Sequence, residues 1–155
     1  MYEKYDIKEI RFLPMSDKEF TIVDNAREYL RYQLPKEEDG AYWYQTKGID
    51  AEGDILVLFR IQSQIIGVGI FKERVKNKPG VVYKSGGFEY HGKNVFYPDT
   101  IFNIEPITLK EYQEIDSDLM SFNQSIKKTD IIYLHEVLSL VKEKWIAYEG
   151  IIRKR

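Results

Sequence analysis

The chain contains 155 residues, of which 43% are hydrophobic and 31% are charged, with a formal net charge of −2 and no cysteine. This length fits a single domain over residues 1–155, and this composition supports a hydrophobic core and excludes a disordered chain. The lack of cysteine excludes disulfides, thiol nucleophiles and thiolate metal sites. The apolar runs are too short to span a membrane and the first residues do not resemble a signal peptide, so we expect a cytoplasmic protein with no membrane partner.

Three stretches have the spacing of amphipathic helices. Ser16 and Glu19 have the spacing of a capping box, and the apolar residues after them recur every three or four positions until Pro35. A shorter helix is predicted after Thr108. Near the C-terminus, Asp130 offers a cap for a third helix whose apolar stripe runs to position 145.

The middle of the sequence predicts a sheet. Residues 54–61 and 65–75 are rich in Ile, Val, Leu and Phe and are joined by a short polar link, which is typical of a β-hairpin that is buried on both faces. Gly67 and Gly69 inside the second strand indicate a bend or a close approach. Shorter strands are expected near 81–83, 88–90, 94–96 and 101–104. A hairpin buried on both faces is typical of a small closed barrel, and the order of elements predicts an α+β fold with a strongly curved sheet.

Charge is segregated along the chain. Residues 60–97 contain seven basic and two acidic residues, whereas the segments on either side are acidic. Such a region can attract a polyanion even when the whole protein is slightly acidic, although exposure of strand lysines to water explains the same pattern. The predicted backbone-contacting residues are Arg60, Lys72, Arg74, Lys76, Lys78, Lys84 and Lys93.

Catalytic motifs are missing from the sequence. It contains no dinucleotide fingerprint, phosphate loop or nucleophile elbow, and Pro98-Asp99 lacks the acid-x-Lys partner that a metal-dependent nuclease site needs. His91 and His135 are interpreted as ordinary surface or packing residues. The sequence therefore predicts a protein that is not an enzyme and that uses no cofactor and no metal.

The 22 aromatic residues make up 14% of the chain, and three of them are consecutive at Tyr42–Tyr44. In an extended chain Tyr42 and Tyr44 share one side and Trp43 lies on the other, so the three rings cannot all face one core. Packing in the core and stacking on a planar ligand are both consistent with this run.

Four short motifs carry a family resemblance. They are Gly53-Asp54 followed by an apolar strand, Ile65-Ile-Gly-Val-Gly69, Thr100-Ile-Phe-Asn-Ile-Glu-Pro-Ile-Thr108, and Phe122-Asn-Gln-Ser125. In this order and spacing, over residues 41–145, they resemble the PUA-like superfamily and, within it, the EVE-type domains. Those domains occur alone, before HNH nucleases, or at the front of McrB-type restriction ATPases.

The resemblance implies a PUA/EVE-like twisted β-barrel flanked by helices, with a pocket that holds a modified base turned out of its nucleic acid. By position, Trp43 and Tyr44 would wall this pocket and Asp54 would lie at its strand entrance, although Gly-Asp before a strand is also an ordinary turn. The resemblance and the aromatic run together give a predicted base pocket of Tyr42, Trp43, Tyr44, Asp54, Tyr90, Asn123 and Gln124.

The function that follows is a non-catalytic reader of a modified, most plausibly methylated, base in DNA within a restriction or defence system. Any cleavage would then belong to another polypeptide, such as a nuclease or ATPase, or to a portion missing from this sequence. Two alternatives remain open at this point. One is an RNA-binding module of the wider PUA-like superfamily, and the other is a sensor that binds a nucleotide or another planar metabolite in the same pocket.

Overall fold

A seven-stranded mixed sheet forms the centre of the molecule, and a two-stranded hairpin lies beside it. These features come from a computed structural model, which describes residues 1–37, 40–122 and 128–154. The strands in chain order are β1 (Ile7–Pro14), β2 (Ala41–Tyr44), β3 (Asp54–Ile61), β4 (Gln64–Lys76), β5 (Tyr83–Ser85), β6 (Phe88–Tyr90), β7 (Gly92–Phe96), β8 (Phe102–Ile107) and β9 (Lys128–Thr129).

The strand order in the sheet is β2-β7-β4-β3-β1-β9, and β5 pairs only with β6. β1 runs parallel to β3, while the other pairs are antiparallel. The long strand β4 carries two partners on the edge away from β3: β8 pairs with its beginning and β7 with its end. The α+β prediction is confirmed. The predicted closed barrel is not, because within the described residues β2 and β9 remain two separate edges.

Both faces of the sheet are buried at its centre, and β3 shows why. Its residues alternate between two hydrophobic cores: Ile55, Val57 and Phe59 belong to the first core, and Leu56 and Leu58 to the second. Successive side chains on a strand point to opposite faces, so a strand covered on both sides needs an unbroken apolar run. This is the pattern that made the β3–β4 hairpin predictable.

Helical segments cover the two faces. On the first core lie α1 (Val23–Glu28), a π-helical turn (Tyr29–Gln33) and a 3-10 turn (Leu34–Lys36), which bury Ala26 and Leu30. On the second core lie α2 (Leu109–Gln113) and α3 (Leu134–Arg153). Within the described ranges, none of the helices has the length and apolar character needed to cross a membrane.

Two of the three predicted helix starts are confirmed, and one is wrong. Thr108 caps α2 in a reciprocal capping box with Glu111, and Asp130 accepts a hydrogen bond from the amide of Ile132 at 3.0 Å in the turn that leads into α3. The capping box predicted at Ser16 is wrong. The Ser16 hydroxyl accepts a hydrogen bond from the amide of Lys18 in a turn, and α1 begins only at Val23.

Candidate binding site

A cleft of about 500 Å³ opens where β1 and β3 end. Because these two strands are parallel, their carboxyl ends lie side by side. The chain leaving β1, the end of β2 and the tight turn between β3 and β4 surround the opening. We call this opening the end cleft and define it by Leu13, Glu19, Trp43, Arg60 and Gln62.

The turn beside the end cleft has an unusual backbone. Gln62 and Ser63 both have positive φ, of 48° and 64°. Two consecutive left-handed residues match the twist of an antiparallel hairpin, but this conformation normally favours Gly or Asn. The chain thus keeps two polar side chains at the rim of the end cleft, next to Arg60. Burial lowers the pKa of the Arg60 guanidinium from its ordinary value, and the nearby charge of Asp17 opposes this effect.

The three aromatic residues of β2 have three different environments. Tyr42 is buried in the first core, where its ring meets that of Tyr29 edge-on at 5.8 Å. Burial raises the pKa of both phenols, which therefore stay protonated at neutral pH. Tyr44 is half-buried and its ring lies over its cross-strand neighbour Gly92, where a Cβ atom would clash with it. The packing role is therefore clear for Tyr42 and Tyr44.

Trp43 points to the other side of β2 and is half-buried. The ring of Tyr83, on β5, stacks on it at 4.8 Å with 26° between the planes. Lys93, its cross-strand partner on β7, places its ammonium 5.7 Å from the indole centre. Tyr83 is itself 47% exposed, so a ring from the solvent can reach this aromatic and cationic surface.

A second opening, of about 340 Å³, lies between the π-helical turn and the β5–β6 hairpin. We call it the hairpin cleft; its lining includes Tyr29, Trp43, Tyr83 and Tyr90. Glu19 contributes to both clefts and connects them. One oxygen of its carboxylate accepts hydrogen bonds from the Tyr90 hydroxyl and from Gln45 Nε2, the latter at 3.0 Å.

The structure brings only part of the predicted base pocket together. Tyr42, Trp43 and Tyr44 line the end cleft, and Tyr90 lines the hairpin cleft next to Trp43. Asp54 is elsewhere. It lies at the start of β3, whereas the end cleft is at the finish of that strand, and it accepts a hydrogen bond of 2.8 Å from the Tyr97 hydroxyl.

This bond raises the pKa of the Tyr97 phenol and gives Asp54 a local structural role. The two remaining predicted residues, Asn123 and Gln124, lie outside the described residues.

The predicted basic residues are also divided. Lys72, Lys76 and Lys78 are exposed on or just beyond the end of β4. Arg74 is half-buried and lies 3.6 Å from an Asp50 carboxylate oxygen, so its charge is partly neutralised. The other three are Arg60 in the end cleft, Lys93 over Trp43, and Lys84, whose ammonium is 3.6 Å from Glu89.

Sequence reasoning missed Glu19, Gln45 and Tyr83 as site residues. The sequence gives no clear signal for β1, so the loop after this strand resembles a helix cap, and the sequence predicts Glu19 in that cap. Gln45 directly follows the aromatic run, so the argument that places this run at a pocket also applies to Gln45. Tyr83 lies on the β5–β6 hairpin, 40 residues after Trp43 in the sequence. Local sequence patterns do not show that this hairpin folds back on β2.

Comparisons with known proteins show the fold. No protein-family model matches the sequence, and no curated protein matches it. Two solved structures of ASCH from Zymomonas mobilis are similar in fold. A tyrosine-to-phenylalanine mutant has a TM-score of 0.53 at 11% identity, covering 86% of this chain and 99% of that chain. The other has a TM-score of 0.52 at 12% identity, covering 85% and 95%.

These similarities confirm the PUA-like fold that the resemblance implied, and they show the fold alone. ASCH domains have a PUA-like fold, so the chain has the fold of the PUA-like superfamily. They do not confirm the EVE type. At this level of identity the comparison concerns the course of the backbone and transfers no site residue, so the chemistry of the site depends on the geometry above.

Proposed function

We propose that this chain binds nucleic acid and holds one base against Trp43. One observation carries the proposal: a half-buried tryptophan, already stacked by Tyr83 and approached by Lys93, lies where two clefts meet. An indole ring presents an apolar face to any base, and such stacking is worth about 1–3 kcal/mol per base. A cation beside the ring adds attraction for a phosphate and for the ring itself.

The end cleft supplies the rest of the recognition. Its volume of about 500 Å³ is within the range of sites that hold a small ligand or a single base. Leu13 and Met15 provide buried apolar contact, and Arg60 and Gln62 provide hydrogen-bond donors for a base edge. In this proposal, the exposed lysines at the end of β4, which is linked to β2 through β7, contact the phosphates that flank such a base.

The proposal includes no chemical step. A flipped-out, methylated base in DNA is its narrower form, in which a separate nuclease or ATPase acts on the bound site. Unstacking a base costs a few kcal/mol, and stacking on Trp43 together with edge contacts in the end cleft offsets that cost. A PUA-like module that binds RNA uses the same surfaces, so the choice between DNA and RNA is made by experiment.

The two tryptophans of the chain allow a direct test. In a Trp145→Phe variant, Trp43 is the sole indole reporter. In a Trp43→Phe variant the reporter is Trp145, which packs on Phe102 in the second core, 5.0 Å between ring centres. Each variant is titrated with single-stranded RNA, single-stranded DNA, duplex DNA with and without a methylated base, and a free mononucleotide.

We expect an oligonucleotide to quench the fluorescence of the Trp145→Phe variant and to leave that of the Trp43→Phe variant unchanged. The affinity should fall as salt is raised, because phosphate contacts release counterions. Preference for the methylated duplex supports the narrower form, and preference for RNA supports the alternative. Quenching by the mononucleotide alone, without salt dependence, would instead show a small-molecule sensor. Quenching by none of these ligands would overturn the proposal.

A further inference from the structure

The outer face of α3 changes character halfway along the helix. Its inner face is anchored in the second core by Val137 and Val141. In the first half, the opposite face exposes polar residues, among them Glu136 and Ser139. In the second half it exposes Ile146, Ala147, Gly150 and Ile151, with Ile146 58% and Ile151 42% exposed. A helix that meets only solvent has no physical reason for this change.

Gly150 is the least expected residue of this apolar half. Glycine inside a helix destabilises it relative to alanine, so its presence needs a reason. A Cβ atom built at Gly150 would meet no neighbouring atom within 4 Å, and the backbone there is ordinary helix. Nothing in the described part of the chain therefore requires a glycine at this position. Close approach of another molecule from outside would require one.

We propose that this face binds the same face of a second copy of the chain, with the two α3 helices antiparallel. A two-fold axis that passes midway between Ala147 and Gly150 brings Ala147 of one copy next to Gly150 of the other. By symmetry the same contact forms twice. The same axis places Ile146 and the partner's Ile146 on one side of the contact between the two helices, and the two copies of Ile151 on the other side. The glycine then allows the two helix backbones to approach closely, and the isoleucines fill the space on both sides.

The charges at the ends of this face make it complementary to itself. Glu143, Ala147, Gly150 and Lys154 are spaced by four, three and four residues, so they share one stripe of the helix. The proposed axis brings Glu143 opposite the partner's Lys154, and by symmetry this pair forms twice. Both residues are exposed, and among the described residues neither has an ion-pair partner. A parallel arrangement would instead place like charges together.

The dimer leaves the candidate binding site open. α3 packs on the second core, whereas Leu13, Met15 and Tyr42 of the end cleft belong to the first core on the other face of the sheet. A single pair of helices buries less than the roughly 1,600 Å² of a standard interface, so we expect weak association, with Kd of the order of tens of micromolar. A dimer would present two copies of the site to one nucleic acid, but the inference does not depend on that function.

Sedimentation velocity over a roughly hundredfold range of protein concentration tests the proposal. The informative variants are Gly150→Leu, Glu143→Lys, Lys154→Glu and the double charge swap. Leu has a higher helix propensity than Gly, so loss of the dimer in Gly150→Leu cannot come from loss of the helix. Circular dichroism verifies this. Glu136→Lys is the matched control, because it reverses the same charge on the outer face about two turns before the proposed contact begins.

We expect the wild-type chain and Glu136→Lys to form the same concentration-dependent dimer, and Gly150→Leu to remain monomeric. Each single charge reversal should weaken association roughly tenfold, because two attractive pairs per dimer become repulsive. The double swap should restore it. A wild-type chain that stays monomeric over the whole range overturns the proposal. A dimer that survives Gly150→Leu, or one that the double swap fails to restore, overturns it as well.

Discussion

The two halves of β4 belong to one strand but have different surroundings. Residues 64–71 pair with β3 along their length and with β8 over 65–68, and both of their faces are covered by the two cores. Residues 72–76 pair only with β7 and are largely exposed. A register shift between Phe71 and Glu73 marks the boundary. Such bulges change the direction of a strand and commonly occur where a sheet stops serving the core.

The difference separates stability from ligand contact. The first half contributes buried apolar area, the dominant favourable term in folding. The second half positions the candidate site. It pairs with β7, and β7 pairs with β2, so Trp43 on β2 lies near the exposed lysines of β4. Substitutions in the two halves and their neighbours should therefore act on different measurements. The following changes test that separation, in order of expected size.

The largest effect is expected on the buried side, for Phe59→Ala. Phe59 lies opposite Gly67 on β4, is fully buried, and its ring contacts those of Tyr42 and Phe96 at 5.9 and 5.3 Å. Truncation of such a ring typically removes about 3–5 kcal/mol of unfolding free energy, which urea denaturation measures. Tyr83→Ala is the exposed control and should lose far less. Similar losses for the two variants would contradict the separation.

On the exposed side, Trp43→Ala should weaken oligonucleotide binding by about 1–3 kcal/mol, the range for one lost stacking contact. Its unfolding free energy should fall much less than that of Phe59→Ala, because Trp43 is only half-buried and packs mainly on Tyr83. Titration and urea denaturation of the same variant measure both quantities. If Trp43→Ala unfolds the protein while folded controls bind normally, Trp43 belongs to the core.

A charge reversal should give a smaller effect that is visible mainly in its salt dependence. The double variant Lys76→Glu and Lys78→Glu removes two exposed cations, and the slope of log Kd against log salt should fall by about two. Arg74 is left in place because its reversal would put two carboxylates beside each other at Asp50. The matched control is Lys110→Glu with Lys142→Glu, on the helices of the opposite face. An equal effect in the control would show that only net charge matters.

The smallest effect is expected for Tyr90→Phe, which removes the hydroxyl that donates to Glu19. One such hydrogen bond is worth about 1 kcal/mol of unfolding free energy at neutral pH. Burial and then this bond raise the pKa of the phenol, so the folded state favours the protonated form. Its contribution is complete below the ordinary tyrosine pKa of about 10 and is lost as pH rises beyond it. Wild type and variant should therefore converge in alkaline urea titrations, and a constant gap would argue against the bond.

The apolar runs of β3 and β4 made the central hairpin predictable, and the caps at Thr108 and Asp130 made two helix starts predictable. β1 was missed because a register shift between Ile7 and Glu9 interrupts the alternation that identifies a strand. The helix predicted from Ser16 was set too early for the same reason, since the loop after an unrecognised strand resembles a cap.

The site was predictable only where it is local. The run Tyr42–Tyr44 identified Trp43, but its stacking partner depends on a distant hairpin. Asp54 was placed in the pocket by resemblance. On β3, Asp54 lies six residues before Arg60, which is roughly 20 Å along an extended strand. Asp54 and the end cleft are therefore at opposite ends of the same strand.

The parallel pairing of β1 with β3 has a consequence for the order of folding. The β3–β4 hairpin closes through a two-residue turn, whereas each paired residue of β1 has a partner on β3 that lies 46 or 47 positions further along the chain. Closing the longer loop costs more entropy, so we expect the hairpin to form first and β1 to dock on it afterwards. During synthesis Ile10 and Phe12 leave the ribosome early and have no sheet to join until β3 follows. Of all the strands, β1 is therefore the one that we expect to be most prone to incorrect association during synthesis.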